Sequence, residues 1–269
     1  MSGLRWRPLA GGELAGCVAL ELDAPPLNEL GEAALEALEA FVREALPACR
    51  GVLIVSQLAR GFCAGADLAA LATGLAAEPD APARVRRFLE RIGSAFRALD
   101  EAPVPVVGAV HGAVFGGGLE LALCCDVLVA DPSARFGFPE LRLGLIPGFG
   151  GLARLGRDLG QARVRDLLLT GRSLSADAAQ RAGLVAHRVA AGQHRPVAER
   201  LLAQAVRHPP AATAAAKRLL KPISPEVLQR EIDTFCALLA APEVLRALTQ
   251  FVNRSDPLPY VARASEDPA

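Results

Sequence analysis

The chain has 269 residues, 52% of them hydrophobic, and its 29 basic residues balance 29 acidic ones. This is enough apolar material for one large core, alone or with an appendage, and there is no surplus of positive charge of the kind that binds nucleic acid or an anionic membrane. The six cysteines include no C-x-x-C pair, and the N-terminal segment is interrupted by Glu13 and Glu21, so buried free thiols in a cytoplasmic protein that handles small molecules are the expectation.

In chain order, residues 14–22 carry an apolar strand pattern. Asn28, after Pro25 and Pro26, is placed to cap a helix over about 29–46, with Leu30, Leu35, Leu38, Phe41 and Val42 apolar. Residues 52–55 read as a buried strand that enters a glycine turn at 61–67. The Gly, Ala and Pro of 73–82 then suggest a loop. An amphipathic helix is expected over about 83–101, with Val85, Phe88, Leu89, Ile92, Phe96 and Leu99 on one face. Residues 104–110 form a strand into a second glycine turn, 112–118. A short helix to about 124 and a strand at 127–130 follow.

The stretch from Ala102 to Leu119 carries no Asp, Glu, Lys or Arg and approaches the length of a membrane span, but Pro103, Pro105, His111 and the glycines break it. Strand, helix and strand in close alternation indicate an α/β fold. From about residue 196 the pattern is wholly helical, which divides the chain into a 1–195 core carrying the active site and a 196–269 helical region.

Several chemistries are excluded by motif. Neither lysine, Lys217 or Lys221, follows a glycine, so there is no Walker loop; there is no G-x-S-x-G elbow; and His111, His187, His194 and His208 have no metal-ligand spacing. The glycines at 112, 116 and 118 could cradle a dinucleotide. However, they lie in mid-chain, and Tyr260 has no lysine four residues later to complete a dehydrogenase pair. What stands out is a glycine turn followed closely by a carboxylate, twice over. Gly117 and Ala66 each sit at an expected helix start, where a backbone N–H has no intrahelical partner and can face an anion. Glu120 lies within an apolar helix and Glu140 follows Phe136-Gly137-Phe138-Pro139, so both approach the interior, where a carboxylate needs a reason. Two converging N–H groups and two carboxylates suit carbonyl polarisation with proton transfer.

The segments G-F-C-A-G-A-D-L (61–68), V-H-G-A-V-F-G-G-G-L-E-L-A (110–122) and F-P-E-L-R-L-G-L-I-P-G-F-G-G (138–151) resemble the enoyl-CoA hydratase/isomerase, or crotonase, family. The resemblance implies a spiral of ββα units with a C-terminal α-helical oligomerisation region that builds a homotrimer or homohexamer. It implies that Ala66 and Gly117 polarise a thioester carbonyl, and that Glu120 and Glu140 are the acid/base pair hydrating a trans-2-enoyl-CoA without metal or redox cofactor. Isomerases of the family usually lack the Glu120 carboxylate, so hydration is favoured. Arg60, Ala64, Asp67, Leu68, Phe251 and Arg254 match positions at the CoA end. Leu27 stands where many relatives carry a basic residue, which leaves room for an acyl carrier protein thioester, and His111 stands where Asn is frequent. A non-catalytic scaffold of the same fold is the alternative from another class.

Overall fold

A computed structural model describes residues 3–77 and 80–253. The larger sheet holds β1 (Leu4–Pro8), β2 (Cys17–Leu22), β3 (Gly51–Ser56), β5 (Val106–Val110), β7 (Val127–Ala130) and β10 (His187–Arg188) in that spatial order; only β1 is antiparallel to its neighbour. The smaller sheet orders β4 (Gly61–Cys63), β6 (Ala113–Phe115), β8 (Arg135–Gly137) and β9 (Leu174–Ser175). The chain repeatedly crosses from the large sheet to the small one and then into helix. β3 and β4 lead to α2 (Leu68–Ala77) and α3 (Ala81–Asp100), and β5 and β6 lead to α4 (Gly117–Ala122). This is the spiral of ββα units that the resemblance implies.

Period-two alternation explains why β3 is buried throughout. Val52 and Ile54 join the main core with Leu35 and Phe41 of α1 (Glu32–Glu44) and Leu89, Ile92, Phe96 and Leu99 of α3. Leu53 and Val55 turn the other way, onto Ala198 and Leu202 of α8 (His194–Ala205). The helical run therefore begins with an element that covers the second face of the sheet. Between β9 and α8 the chain carries α7 (Ala176–Ala182); α5 (Gly151–Leu159) and α6 (Gln161–Thr170) precede β9. α9 (Pro210–Leu220), α10 (Pro225–Leu239) and α11 (Pro242–Val252) follow α8. Of these, α10 packs on α3 and α5, and α11 packs on α2.

Several expectations are corrected. The first helix begins at Glu32 after Gly31, and Asn28 is not its cap. Asn28 instead holds a left-handed conformation, φ 56°, and is buried: Oδ1 accepts the Ala24 N–H while Nδ2 donates to Ser56 Oγ and the Phe62 carbonyl. The strand expected from residue 14 starts at Cys17, after a single 3-10 turn at Gly12–Leu14. Residues 73–77, expected in a loop, are the end of α2, because Leu71 and Leu75 pack on the core and tertiary contact overrides a weak local signal. Ala102 to Leu119 folds as β5, β6 and the start of α4, and among the described residues no single helix is long and apolar enough to cross a membrane.

Candidate active site

The two glycine turns meet at the end of the small sheet. Gly65 lies so close to the second turn that a Cβ there would stand 3.3 Å from the Phe115 carbonyl and 3.5 Å from the Gly117 nitrogen. Ala66 does not start a helix, as the sequence suggested; α2 begins two residues later, with the Asp67 Oδ1 accepting the Ala70 N–H. Ala66 forms a parallel bridge with Leu30, in which the Leu30 N–H donates to the Gly65 carbonyl and the Asp67 N–H to the Leu30 carbonyl. In that pattern the Ala66 N–H points away from Leu30. Gly117 opens α4, where a first-turn N–H has no intrahelical acceptor. Gly116, at φ 52°, makes the turn that aims it, and a side chain at Gly116 would stand 2.8 Å from Glu140 Oε1.

The two glutamates occupy unlike environments. Glu120 is 2% exposed, and its Oε1 accepts the N–H groups of Phe149 at 2.7 Å and Gly151 at 2.8 Å. Those donors are held in turn. The Phe149 ring makes edge contacts with Phe88 and Phe96, and fully buried Arg154 donates Nη1 to the Phe149 carbonyl and Nε to Asp100. Burial pushes the Glu120 carboxyl up, as do the nearby Glu140 and Glu231, while the two N–H groups pull it back. Glu140 opens a 3-10 turn ending at Leu143, and its Oε2 is buried with no hydrogen-bond partner. Burial pushes its carboxyl up to about 8. A carboxylate with two N–H donors is the better anion, and one with an unpartnered oxygen is the better acid. Both carboxyls are raised, and a charge on Glu140 raises Glu120 further, so the two titrate as a coupled pair.

Glu120, Glu140, Ala66 and Gly117 all line one cavity of about 510 Å³. Of the residues matched to the CoA end, Ala64, Asp67, Leu68 and Phe251 line it as well. Arg60 is exposed and outside its wall, and Arg254 lies outside the described residues. The remaining wall is largely apolar, from Leu71, Val85, Phe88, Ile146 and Phe235 among others. Sequence reasoning missed the Phe149 and Gly151 donors and the buried Glu231 of α10. The signal for Glu231 was present: it falls in the apolar stripe formed by Leu228, Ile232 and Phe235.

The enoyl-CoA hydratase/isomerase family profile matches residues 13–258. The chain belongs to this family. Among curated members of the enoyl-CoA hydratase/isomerase family, the 2,3-dehydroadipyl-CoA hydratase of Escherichia coli (strain K12) is 32% identical over 255 residues, which cover 93% of this chain and 91% of that protein. A probable mitochondrial enoyl-CoA hydratase 2 of Arabidopsis thaliana is 32% identical over 254 residues, or 92% of this chain and 82% of that protein. The crystal structure of an enoyl-CoA hydratase from Bacillus halodurans aligns with a TM-score of 0.79 at 25% identity, covering 93% of this chain and all of that one. The enoyl-CoA hydratase/isomerase family is one of enzymes, and its fold is the one described above.

Proposed function

We propose that the protein adds water reversibly across the double bond of a trans-2-enoyl thioester, giving the 3-hydroxyacyl thioester. The observation that carries this reading is the pair of carboxylates in unlike surroundings on the same cavity as the Ala66 and Gly117 N–H groups. The thioester oxygen sits between those two donors. Glu120, ionised, takes a proton from water as the water oxygen bonds to Cβ; the double-bond electrons move toward the thioester, and the negative charge collects on the oxygen that the two N–H groups face. Glu140, protonated, gives its proton to Cα. One proton has then entered and one has left the pair, and return of the Glu120 proton to Glu140 through solvent completes the cycle. All atoms moved come from water and the thioester, so the proposal needs no cofactor beyond the substrate's own CoA.

The same reading takes residues 196–269 as the oligomerisation region of a homotrimer or homohexamer. It is supported by Leu219 and Leu220 of α9, which stand 82% and 74% exposed. A second reading concerns the carrier. The cavity wall carries Glu29, Glu32 and Asp67 against Arg84, and Leu27 is buried. With Glu32 paired to Arg91, Glu29 and Asp67 leave this rim short of positive charge for the several phosphates of CoA, which leaves room for the single phosphodiester of a phosphopantetheine arm, as on an acyl carrier protein. Crotonyl-CoA and crotonyl carrier protein assayed side by side test both readings. Production of the 3-hydroxyacyl product from either supports hydration, and the ratio of kcat/KM identifies the carrier. Interconversion of 3-enoyl and 2-enoyl thioesters without hydration would overturn it in favour of an isomerase.

A further inference from the structure

Glu231 lies on α10, is 8% exposed and takes no part in the steps above. Its Oε1 accepts the Ala153 N–H at 2.7 Å and its Oε2 the Leu152 N–H at 3.4 Å. Both donors belong to the first turn of α5, next to the Phe149 and Gly151 groups that hold Glu120. One turn of chain is thus gripped by two carboxylates, one from α4 and one from α10. The first N–H groups of a helix lack intrahelical acceptors, so the groups that receive them fix where the turn sits. Gly151 makes the fit tight: a Cβ there would stand 2.6 Å from Glu120 Cγ and 2.8 Å from its Oε1. A small displacement of this turn therefore moves Glu120.

We propose that Glu231 is a positioning residue for Glu120. It anchors the first turn of α5 so that the Phe149 and Gly151 N–H groups stay on the Glu120 carboxylate. The inference rests on Glu120 being the base of the proposed hydration. The charged groups around Glu231 are Glu120 on α4, with Glu140 beyond it, and Arg154 on α5, which is neutralised by Asp100 at the end of α3. The other charged contact between α3 and α10, Arg86 with Asp233, is on the exposed side. Burial pushes the Glu231 carboxyl up to about 7 against the pull of its two N–H donors and Arg154, so Glu231 gains its charge near neutrality. As it does so, it strengthens the hold of Glu120 on a proton.

Two variants separate the anchoring from the charge. Glu231→Gln keeps an oxygen for the Ala153 N–H and removes the charge, and its kcat should stay within about threefold of wild type. Glu231→Leu removes both, and kcat should fall about tenfold or more with little change in KM. Amide hydrogen exchange gives a readout independent of turnover: the Phe149 and Gly151 amides should exchange faster in Glu231→Leu than in wild type. A Glu231→Leu enzyme that hydrates crotonyl-CoA with the wild-type kcat would overturn the proposal. So would unchanged exchange at Phe149 and Gly151, whether or not the enzyme is active. Absence of wild-type hydration with faster exchange in Glu231→Leu would instead count against the proposed function while supporting the anchoring.

Discussion

Replacing Glu140 with glutamine tests the electrostatics of the site without any substrate. The carboxyl has an ordinary value of 4.5 and is pushed up to about 8 by burial. Below pH 4.5 it is neutral in both the folded and the unfolded chain, and its contribution to stability is complete. As pH rises toward 8 the unfolded chain ionises and the folded one resists, so stability is lost; above 8 both are ionised and the loss levels off. At about 1.36 kcal/mol per pH unit, the loss is about 1 kcal/mol at pH 5, about 3 kcal/mol at pH 7 and about 5 kcal/mol above pH 9. Water entering the cavity reduces these amounts, so the test lies in the sign and the slope. Glu140→Gln has nothing to ionise at this position. In urea denaturation at fixed protein concentration, its stability relative to wild type should therefore rise from pH 5 to pH 9. A difference that is the same at about pH 5, 7 and 9 would refute the claim that Glu140 is held neutral by its surroundings.

The proposed oxyanion donor can be tested by comparing two substitutions at Gly117. A Cβ there would meet the Phe149 ring at 2.6 Å, so Gly117→Ala measures that crowding with the N–H intact. Gly117→Pro adds loss of the N–H at a helix position where proline is otherwise well tolerated. Its kcat should be about a hundredfold to a thousandfold below that of Gly117→Ala, and equal rates would exclude Gly117 as a donor. Behind the site, Arg154→Met leaves Asp100 with Arg157 and Lys221 but strips it of its most buried partner. The unfolding free energy should drop by about 3 kcal/mol, read from the urea midpoint, and a drop well under 1 kcal/mol would contradict the structural role given to this pair. By sedimentation, the native mass should be three or six times that of the protomer, and a monomer would contradict the proposed role of the C-terminal helices.

Most of the architecture was legible in the sequence because its elements are long or strongly patterned. The stripe from Val85 to Leu99 specifies α3 almost to the residue, and the apolar run at 52–55 specifies β3. Asn28 misled because a capping residue and a left-handed turn residue have the same composition, and only the distant Ser56 and Phe62 decide between them. Ala66 was placed in the site for an incomplete reason: the parallel bridge to Leu30, which no local pattern reveals, directs its N–H. The carboxylates were legible as buried charges in apolar surroundings. Their unlike environments were not, because they depend on backbone N–H groups some 30 residues away in sequence, at Phe149 and Gly151. Glu231 was overlooked for the same reason, since its partners lie 78 and 79 residues from it.

The central claim is that Glu120 and Glu140 act together on water and an enoyl thioester. Its most direct test is the turnover of crotonyl-CoA, followed through loss of its conjugated-enoyl absorbance, by wild type, Glu120→Gln and Glu140→Gln at one pH. The account predicts rapid loss with wild type and rates lower by about two orders of magnitude or more with each variant. Wild-type rates in both variants would contradict it.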